Sequence, residues 1–235
     1  MKFIDKGRQP PALIAIHKDK TKTYENDVCD NLKTIPKITV KSDTLESLMK
    51  DQGYICCYCM QKIYTKGLTS ASPLYPTIEH YIAQHTPQSK SNNLDTDYKN
   101  MLVTCHGNDK KEPDNKHCDS SRGGVAFKYL NPLDKSCEKV LGYGADGSII
   151  CLDDTNRNDI EHDIKLLNLN YQKIKDNRKS IMDGIKKLKV YSKNKLQAKW
   201  NKEIFKNEQL SKCVKSSSGE YKEYVQVIVY VLSKL

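Results

Sequence analysis

The sequence predicts an α+β fold in which a small ββα unit, held by a structural zinc ion, precedes a mainly helical C-terminal region. Two observations indicate the first part: two pairs of cysteines flank it, and two short apolar stretches inside it have the length of strands. The third observation is that apolar residues recur with helical spacing from about residue 158. We therefore expect an N-terminal arm (1–42), a zinc-containing core (43–155) and a basic helical region (156–235).

The composition is that of a globular protein outside the membrane. Of the 235 residues, 37% are hydrophobic and 29% are charged, and no stretch approaches the roughly 18 apolar residues of a membrane span. The apolar stretch at 13–16 is too short for the core of a signal peptide. We expect a cytoplasmic protein, in which nine cysteines indicate metal ligands more readily than disulfides.

The excess of positive charge is concentrated in one segment. Residues 165–215 contain 15 Lys or Arg against four Asp or Glu, whereas the rest of the chain contains 24 against 25. Because neutralising phosphates releases counterions, such a segment favours a polyanion as partner. A lysine-rich, solvated helix face is an equally good interpretation.

Local patterns predict the elements in order. A helix is expected over 43–53, with Asp43 and Glu46 as a capping box and Gly53 at its end. The next expected elements are a hairpin at 54–63, a loop at 64–76, a strand at 77–82, a polar loop at 85–97, a strand at 101–104 and a short helix from Cys118.

The C-terminal part begins with a second hairpin over 138–152, predicted by the dipeptide Asp146-Gly147. Helices follow from about Asn158, and the final apolar segment, 221–235, fits a helix better than a strand. Its apolar stripe is expected either to pack on the protein's own core or to dock on a partner.

Four cysteines form the strongest candidate metal site. Cys56 and Cys59 have the Cys-x2-Cys spacing that lets two sulfurs point at one ion, and Cys105 and Cys118 supply two more. Four thiolates leave no open coordination position, so the expected zinc is structural. The alternatives for one ligand are Cys57, His106 and His117. Reduced cysteines buried as small hydrophobic residues are the competing interpretation.

A second group of residues has the composition of a site that cuts phosphodiester bonds. His80, at the end of a strand, can take a proton from water near neutral pH, and Glu79 and Asp119 can hold a divalent ion. Asn100, at the start of the next strand, is expected to orient His80 by a hydrogen bond. Taken alone, each residue has an ordinary explanation, such as an N-cap role for Asp119, but their joint order favours catalysis.

In this order the residues resemble the HNH endonuclease superfamily, which has a ββα-metal motif. The narrower resemblance is to the PtuB-type HNH nucleases of bacterial retron and Septu antiphage systems. The stretches that carry it are spread over about half of the chain, at 55–60, 77–84, 98–105, 117–124 and 163–178. Many HNH nucleases have His or Asn where this chain has Asp119, and a carboxylate there favours Mg²⁺ or Mn²⁺.

The resemblance implies a metal-dependent endonuclease that also contains a structural zinc ion. It implies that His80 is the general base, that Asn100 orients it, and that Glu79 and Asp119 bind a catalytic Mg²⁺ or Mn²⁺. The implied partners are a DNA or RNA substrate, an ATPase of the PtuA type, and a retron reverse transcriptase with its msDNA. The implied role is the toxic effector of a phage-defence system.

Two other function classes fit parts of the pattern. A zinc-stapled nucleic-acid-binding protein needs the cysteines and the basic segment, but it does not need His80, Asn100 and Asp119. An interaction subunit without catalysis needs an exposed apolar surface, for which 221–235 is the candidate. The occurrence of all the catalytic residue types together favours the nuclease.

Overall fold

The computed structural model describes residues 1–29, 39–68, 75–108 and 111–235. Three stretches of the expected arm and loops lie outside the described residues, at 30–38, 69–74 and 109–110. The described elements confirm an α+β fold with two small antiparallel sheets. No helix in the described ranges is long and apolar enough to cross a membrane.

The described part of the N-terminal arm contains two helical segments. Helix α1 spans Pro11–Lys18, and a π-helical turn spans Tyr24–Cys29. Leu13 on α1 is fully buried, and Tyr24 is buried on the π-helical turn. Both side chains belong to the same hydrophobic core as the rest of the protein, which fixes the arm against the elements that follow it.

The helix expected over 43–53 is α2, which spans Val40–Gln52. The predicted capping box was wrong, because the reciprocal pair is Thr39 and Ser42. Each of these side chains bonds the backbone N–H of the other residue, so the helix begins three residues early. Gly53 ends α2 in the left-handed conformation, as predicted.

The first sheet has the two strands that the sequence predicts. Strand β1 spans Thr77–His80 and pairs antiparallel with β2, which spans Met101–Thr104. Two short helices lie before and after β2 in the chain. The polar loop expected over 85–97 contains α3 (Pro87–Asn92), and the short helix expected after Cys118 is α4 (Asp119–Arg122).

The second sheet is the predicted hairpin, formed by β3 (Leu141–Tyr143) and β4 (Ile149–Cys151). Its turn residue Gly147 has φ +83°, and an added Cβ would lie 2.1 Å from the carbonyl oxygen of Lys175. The turn therefore requires glycine to approach the helical region this closely. The helices that follow are α5 (Arg157–Leu166), α6 (Gln172–Leu196), α7 (Lys202–Leu210) and α8 (Val225–Ser233).

The two halves of α6 have different surroundings. Its buried residues, Ile174, Arg178 and Met182, all lie in the first half. In the second half Val190 and Tyr191 are 57% and 63% exposed, and lysines occupy many of the remaining positions. The second half of α6 is therefore a solvated, lysine-rich helix.

The C-terminal segment forms a helix, as predicted, and its apolar stripe is buried. Val225 and Leu232 are fully buried on α8, which contacts α6 and β3. Just before the helix, the backbone N–H of Tyr224 donates to the carbonyl oxygen of Met60, at 3.0 Å. Packing on the protein's own core therefore accounts for this stripe.

We expect Leu232→Ala to lower the free energy of unfolding by about 2–5 kcal/mol, because it leaves a cavity in the core. Leu188→Ala is the matched control: Leu188 is 39% exposed on α6, and its loss should cost within about 0.5 kcal/mol. Urea denaturation of the two variants measures both changes. Equal effects would contradict the burial of α8.

Candidate zinc site and candidate active site

The sulfurs of Cys56, Cys59, Cys105 and Cys118 lie within 4.8 Å of one another. The Sγ–Sγ distance is 3.9 Å between Cys56 and Cys118, and it is 3.7 Å both from Cys59 to Cys105 and from Cys105 to Cys118. Zn–S bonds of about 2.3 Å in a tetrahedron place the sulfurs about 3.8 Å apart. The four cysteines, which form no disulfide, therefore fit a zinc ion.

Tight backbone turns bring the four cysteines together. Cys56 and Cys59 lie on a turn whose next residue, Met60, has φ +65°. Twelve residues separate Cys105 from Cys118, and the backbone N–H of His117 closes this loop by donating to the Gly107 carbonyl at 2.9 Å. A Cβ on Gly107 would lie 2.0 Å from the His117 carbonyl oxygen, so this closure requires glycine.

The three alternative ligands, Cys57, His106 and His117, are not part of the group of four sulfurs. His117 lies beside the cluster, since its Nδ1 is 3.3 Å from the Cys118 sulfur and 3.9 Å from the Cys105 sulfur. Cys57 and His106 do not belong to the cluster. The thiolates therefore complete a tetrahedral set without these residues, and His117 is placed to support it from outside.

His80 is oriented by a backbone carbonyl. Its Nε2 lies 2.8 Å from the carbonyl oxygen of Asp95, which can only accept, so Nε2 carries the proton and Nδ1 keeps its lone pair. The ring packs edge-on against Tyr24, with centroids 4.6 Å apart. Burial lowers the pKa of His80 to about 4. The imidazole is therefore neutral near pH 7, as a general base must be.

Asn100 does not bond to His80 as predicted, but it positions the same ring indirectly. Its amide exchanges hydrogen bonds with the backbone of Ile82, at 2.8 and 2.9 Å, and donates to the Leu94 carbonyl at 3.0 Å. Leu94 directly precedes Asp95, whose carbonyl holds the ring. The short side chain reaches the loop backbone, and the loop in turn orients His80.

Glu79 is a buried carboxylate held on one oxygen. Its Oε1 accepts a hydrogen bond from the hydroxyl of Tyr58, at 2.9 Å, and forms an ion pair with Arg122. Burial and the neighbouring Asp119 carboxyl raise the pKa of Glu79 well above its usual value, and Arg122 opposes that shift. A bound cation would stabilise the charged form of a buried carboxyl group that has a second carboxyl group beside it.

Asp119 is the first residue of α4, and the N-cap position belongs to Cys118. The N-cap explanation for Asp119 is therefore excluded. Its charge lies close enough to raise the pKa of His80, although burial outweighs this effect. The structure thus places the Asp119 carboxyl beside that of Glu79 and within electrostatic reach of His80.

The sequence interpretation missed two residues of the site, Arg122 and Tyr58. A signal for Arg122 existed, because it follows Asp119 by three residues and so shares a helix face with it. Tyr58 lies inside the Cys-x2-Cys turn, where nothing in the local pattern indicates its bond to Glu79.

Comparison with known proteins does not assign the chain to a family. A scan against models of protein families matches none, and a search of curated proteins finds no similar sequence. What the chain does chemically is therefore inferred from its own residues.

We expect the purified protein to contain about one zinc ion per chain that resists mild chelation, and Cys59→Ser to lose both this zinc and much of the fold. A closed thiolate site contributes directly to folding free energy. Elemental analysis and circular dichroism measure the two effects. Cys213→Ser is the control, because Cys213 is also buried but lies outside the cluster. A stable, zinc-free wild-type protein would contradict the assignment.

Proposed function

We propose that the protein is a metal-dependent endonuclease of the HNH type, which hydrolyses phosphodiester bonds in nucleic acid. The observation that carries the proposal is the protonation and orientation of the His80 ring. Its ring is neutral, its Nε2 is fixed on the Asp95 carbonyl, and its Nδ1 keeps a lone pair in a site with two carboxylates. In the proposed reaction, Nδ1 takes the proton of the attacking water.

Glu79 and Asp119 fit a divalent ion of the Mg²⁺ or Mn²⁺ type. Such ions are held by one or two carboxylates together with water and substrate phosphate. When bound, the ion would stabilise the negative charge that develops on the phosphate. Together with Arg122 the two carboxylates carry a net charge of about −1 when ionised, which leaves the site attractive to a cation.

The local architecture also supports this proposal. Two antiparallel strands, β1 and β2, carry Glu79 and His80 opposite Leu102 and Met101, and the one-turn helix α4 supplies Asp119. This is the order of a ββα-metal unit. In the proposal the zinc site holds α4 against the strands, because Cys118 directly precedes Asp119.

The basic helices α6 and α7 provide a surface for the nucleic acid. The arginine of this segment, Arg178, is buried and bonds to the Gly147 and Leu169 carbonyl oxygens, at 2.6 and 2.7 Å, so the exposed cations are lysines. Lysine acts as a point charge and does not form the bidentate contacts that read bases. We therefore propose that this surface binds DNA or RNA through the phosphate backbone.

The resemblance to PtuB-type nucleases extends the proposal to a biological role. A nuclease that binds phosphates without reading bases would damage its own cell unless it is restrained. We propose that it acts as the toxic effector of a retron- or Septu-type antiphage system, together with a PtuA-type ATPase.

A zinc-stapled nucleic-acid-binding protein without catalysis is the second candidate. It is favoured by the ion pair between Arg122 and Glu79, which occupies one oxygen of a proposed metal ligand. Incubation with plasmid DNA and total cellular RNA, with and without Mn²⁺, separates the two functions. Binding without metal-dependent cutting under any of these conditions supports the second candidate.

We expect His80→Ala to reduce cleavage about 10²- to 10⁴-fold, because it removes the general base. Zinc content should stay near that of the wild type, and the variant should remain folded. His85→Ala is the control, since His85 is exposed and outside the site. Normal cleavage by His80→Ala would place the active site elsewhere.

We expect a triple Lys→Glu variant in the second half of α6 to bind nucleic acid more weakly and with a flatter dependence on salt, because fewer counterions are released. The lysines changed together are Lys186, Lys187 and Lys189. The control carries the same net charge, with Glu at Lys41, Lys50 and Lys66. Fluorescence anisotropy at several salt concentrations measures the slope, and equal slopes for the two variants would show that α6 is merely solvated.

A further inference from the structure

Arg122 lies buried inside the candidate active site, with 2% of its surface exposed. Its Nε donates to the carbonyl oxygen of Val125, at 2.8 Å, and its Nη2 donates to that of Tyr81, at 3.1 Å. Its Nη1 bonds to the carbonyl oxygen of His80, at 3.2 Å, and to Oε1 of Glu79. The guanidinium thus joins the backbone after β1 to the Glu79 carboxylate.

These contacts leave Arg122 unable to meet a substrate phosphate. Four of its five N–H groups are engaged within the protein. One face of the guanidinium lies over the ring of Phe127, 4.5 Å from the centroid. A buried cation whose N–H groups are hydrogen-bonded within the protein affects the site through the groups to which it is bonded.

The group held by Arg122 is a single oxygen of Glu79. Oε1 accepts hydrogen bonds from both Arg122 and the Tyr58 hydroxyl. The Tyr58 oxygen also lies 3.4 Å from Nη1 of Arg122. Neither of the hydrogen bonds to Glu79 is to Oε2, and the Asp119 carboxyl lies beside that of Glu79. A carboxylate fixed through one oxygen presents the other in a defined direction, which is how neighbouring residues commonly tune metal ligands.

We propose that Arg122 and Tyr58 are positioning residues, which fix Glu79 so that its Oε2 and Asp119 together bind the divalent ion. This inference rests on the proposed function for the identity of that ion. It adds two residues to the site and assigns Arg122 to metal binding rather than to substrate binding. Tyr58 also links the ion site to the zinc site, because it lies between Cys56 and Cys59.

Electron paramagnetic resonance of Mn²⁺ added to the zinc-loaded protein tests the proposal without relying on cleavage. We expect Arg122→Lys to raise the Mn²⁺ dissociation constant about 10- to 100-fold, the usual effect of losing a partner of a metal ligand. Tyr58→Phe should raise it less. Tyr54→Phe is the control, because its hydroxyl also bonds a carboxylate, Glu46, at 2.8 Å.

A Glu79→Gln background separates positioning from general damage. If Tyr58 acts through the Glu79 carboxylate, Tyr58→Phe should cause no further loss of Mn²⁺ affinity in that background. The same loss in both backgrounds would overturn the proposal. Tyr58→Phe removes one hydroxyl and keeps the ring, so it carries the test even if Arg122→Lys fails to fold.

The outcomes distinguish this inference from the nuclease proposal. Unchanged Mn²⁺ affinity in folded, zinc-loaded Tyr58→Phe and Arg122→Lys proteins overturns the positioning role, and so does a wild-type protein that binds no Mn²⁺. If the variants weaken Mn²⁺ binding as expected but the wild type cuts neither DNA nor RNA, the positioning role stands and the nuclease proposal fails.

Discussion

The convergence of four cysteine sulfurs is the constraint on which the candidate active site depends. Helix α4 has four residues, too few to be stable alone. It is held because Cys118 belongs to the sulfur cluster and donates its N–H to the Leu167 carbonyl, at 2.8 Å. The same helix supplies Asp119 and Arg122. A zinc ion in the cluster would therefore fix both the carboxylate and the buried cation of the site.

The cysteine cluster is also tied to the helical region. Tyr224 donates its backbone N–H to Met60, directly after the first cysteine pair, and its hydroxyl accepts a hydrogen bond from Asn177 of α6, at 3.1 Å. Arg178 on the same helix bonds to the turn of the β3–β4 hairpin. The first half of α6 thus joins the cluster, the second sheet and α8, while its second half remains exposed. One helix serves both as part of the core and as a basic surface.

Two polar residues of the candidate active site, Glu79 and His80, are buried, and each avoids the cost of an unpaired buried charge in a different way. Glu79 is buried with Arg122, and removing one partner of such a pair typically costs about 3–5 kcal/mol, because the other charge stays buried. His80 avoids that cost by staying neutral, since burial lowers its pKa to about 4. The same burial that disfavours charge thus keeps the imidazole of His80 neutral beside the proposed cation site.

Local signals in the sequence determined a hairpin turn, one helix end and the cysteine cluster of this protein. Cysteine spacing predicted the cluster of four cysteines, Asp146-Gly147 predicted the second hairpin, and Gly53 predicted the end of α2. Such signals are readable because turns, caps and ligand spacing depend on residues that are close in the chain.

Tertiary structure alone decided which distant groups meet. Asn100 was expected to bond to His80, yet it holds the loop whose Asp95 carbonyl orients the ring. Tyr58 and Arg122 meet Glu79 across 21 and 43 residues of chain, and the rest of the core covers the apolar stripe of α8. Burial, charge pairing and packing select these partners, and each depends on the surroundings that the folded chain creates rather than on neighbours in sequence.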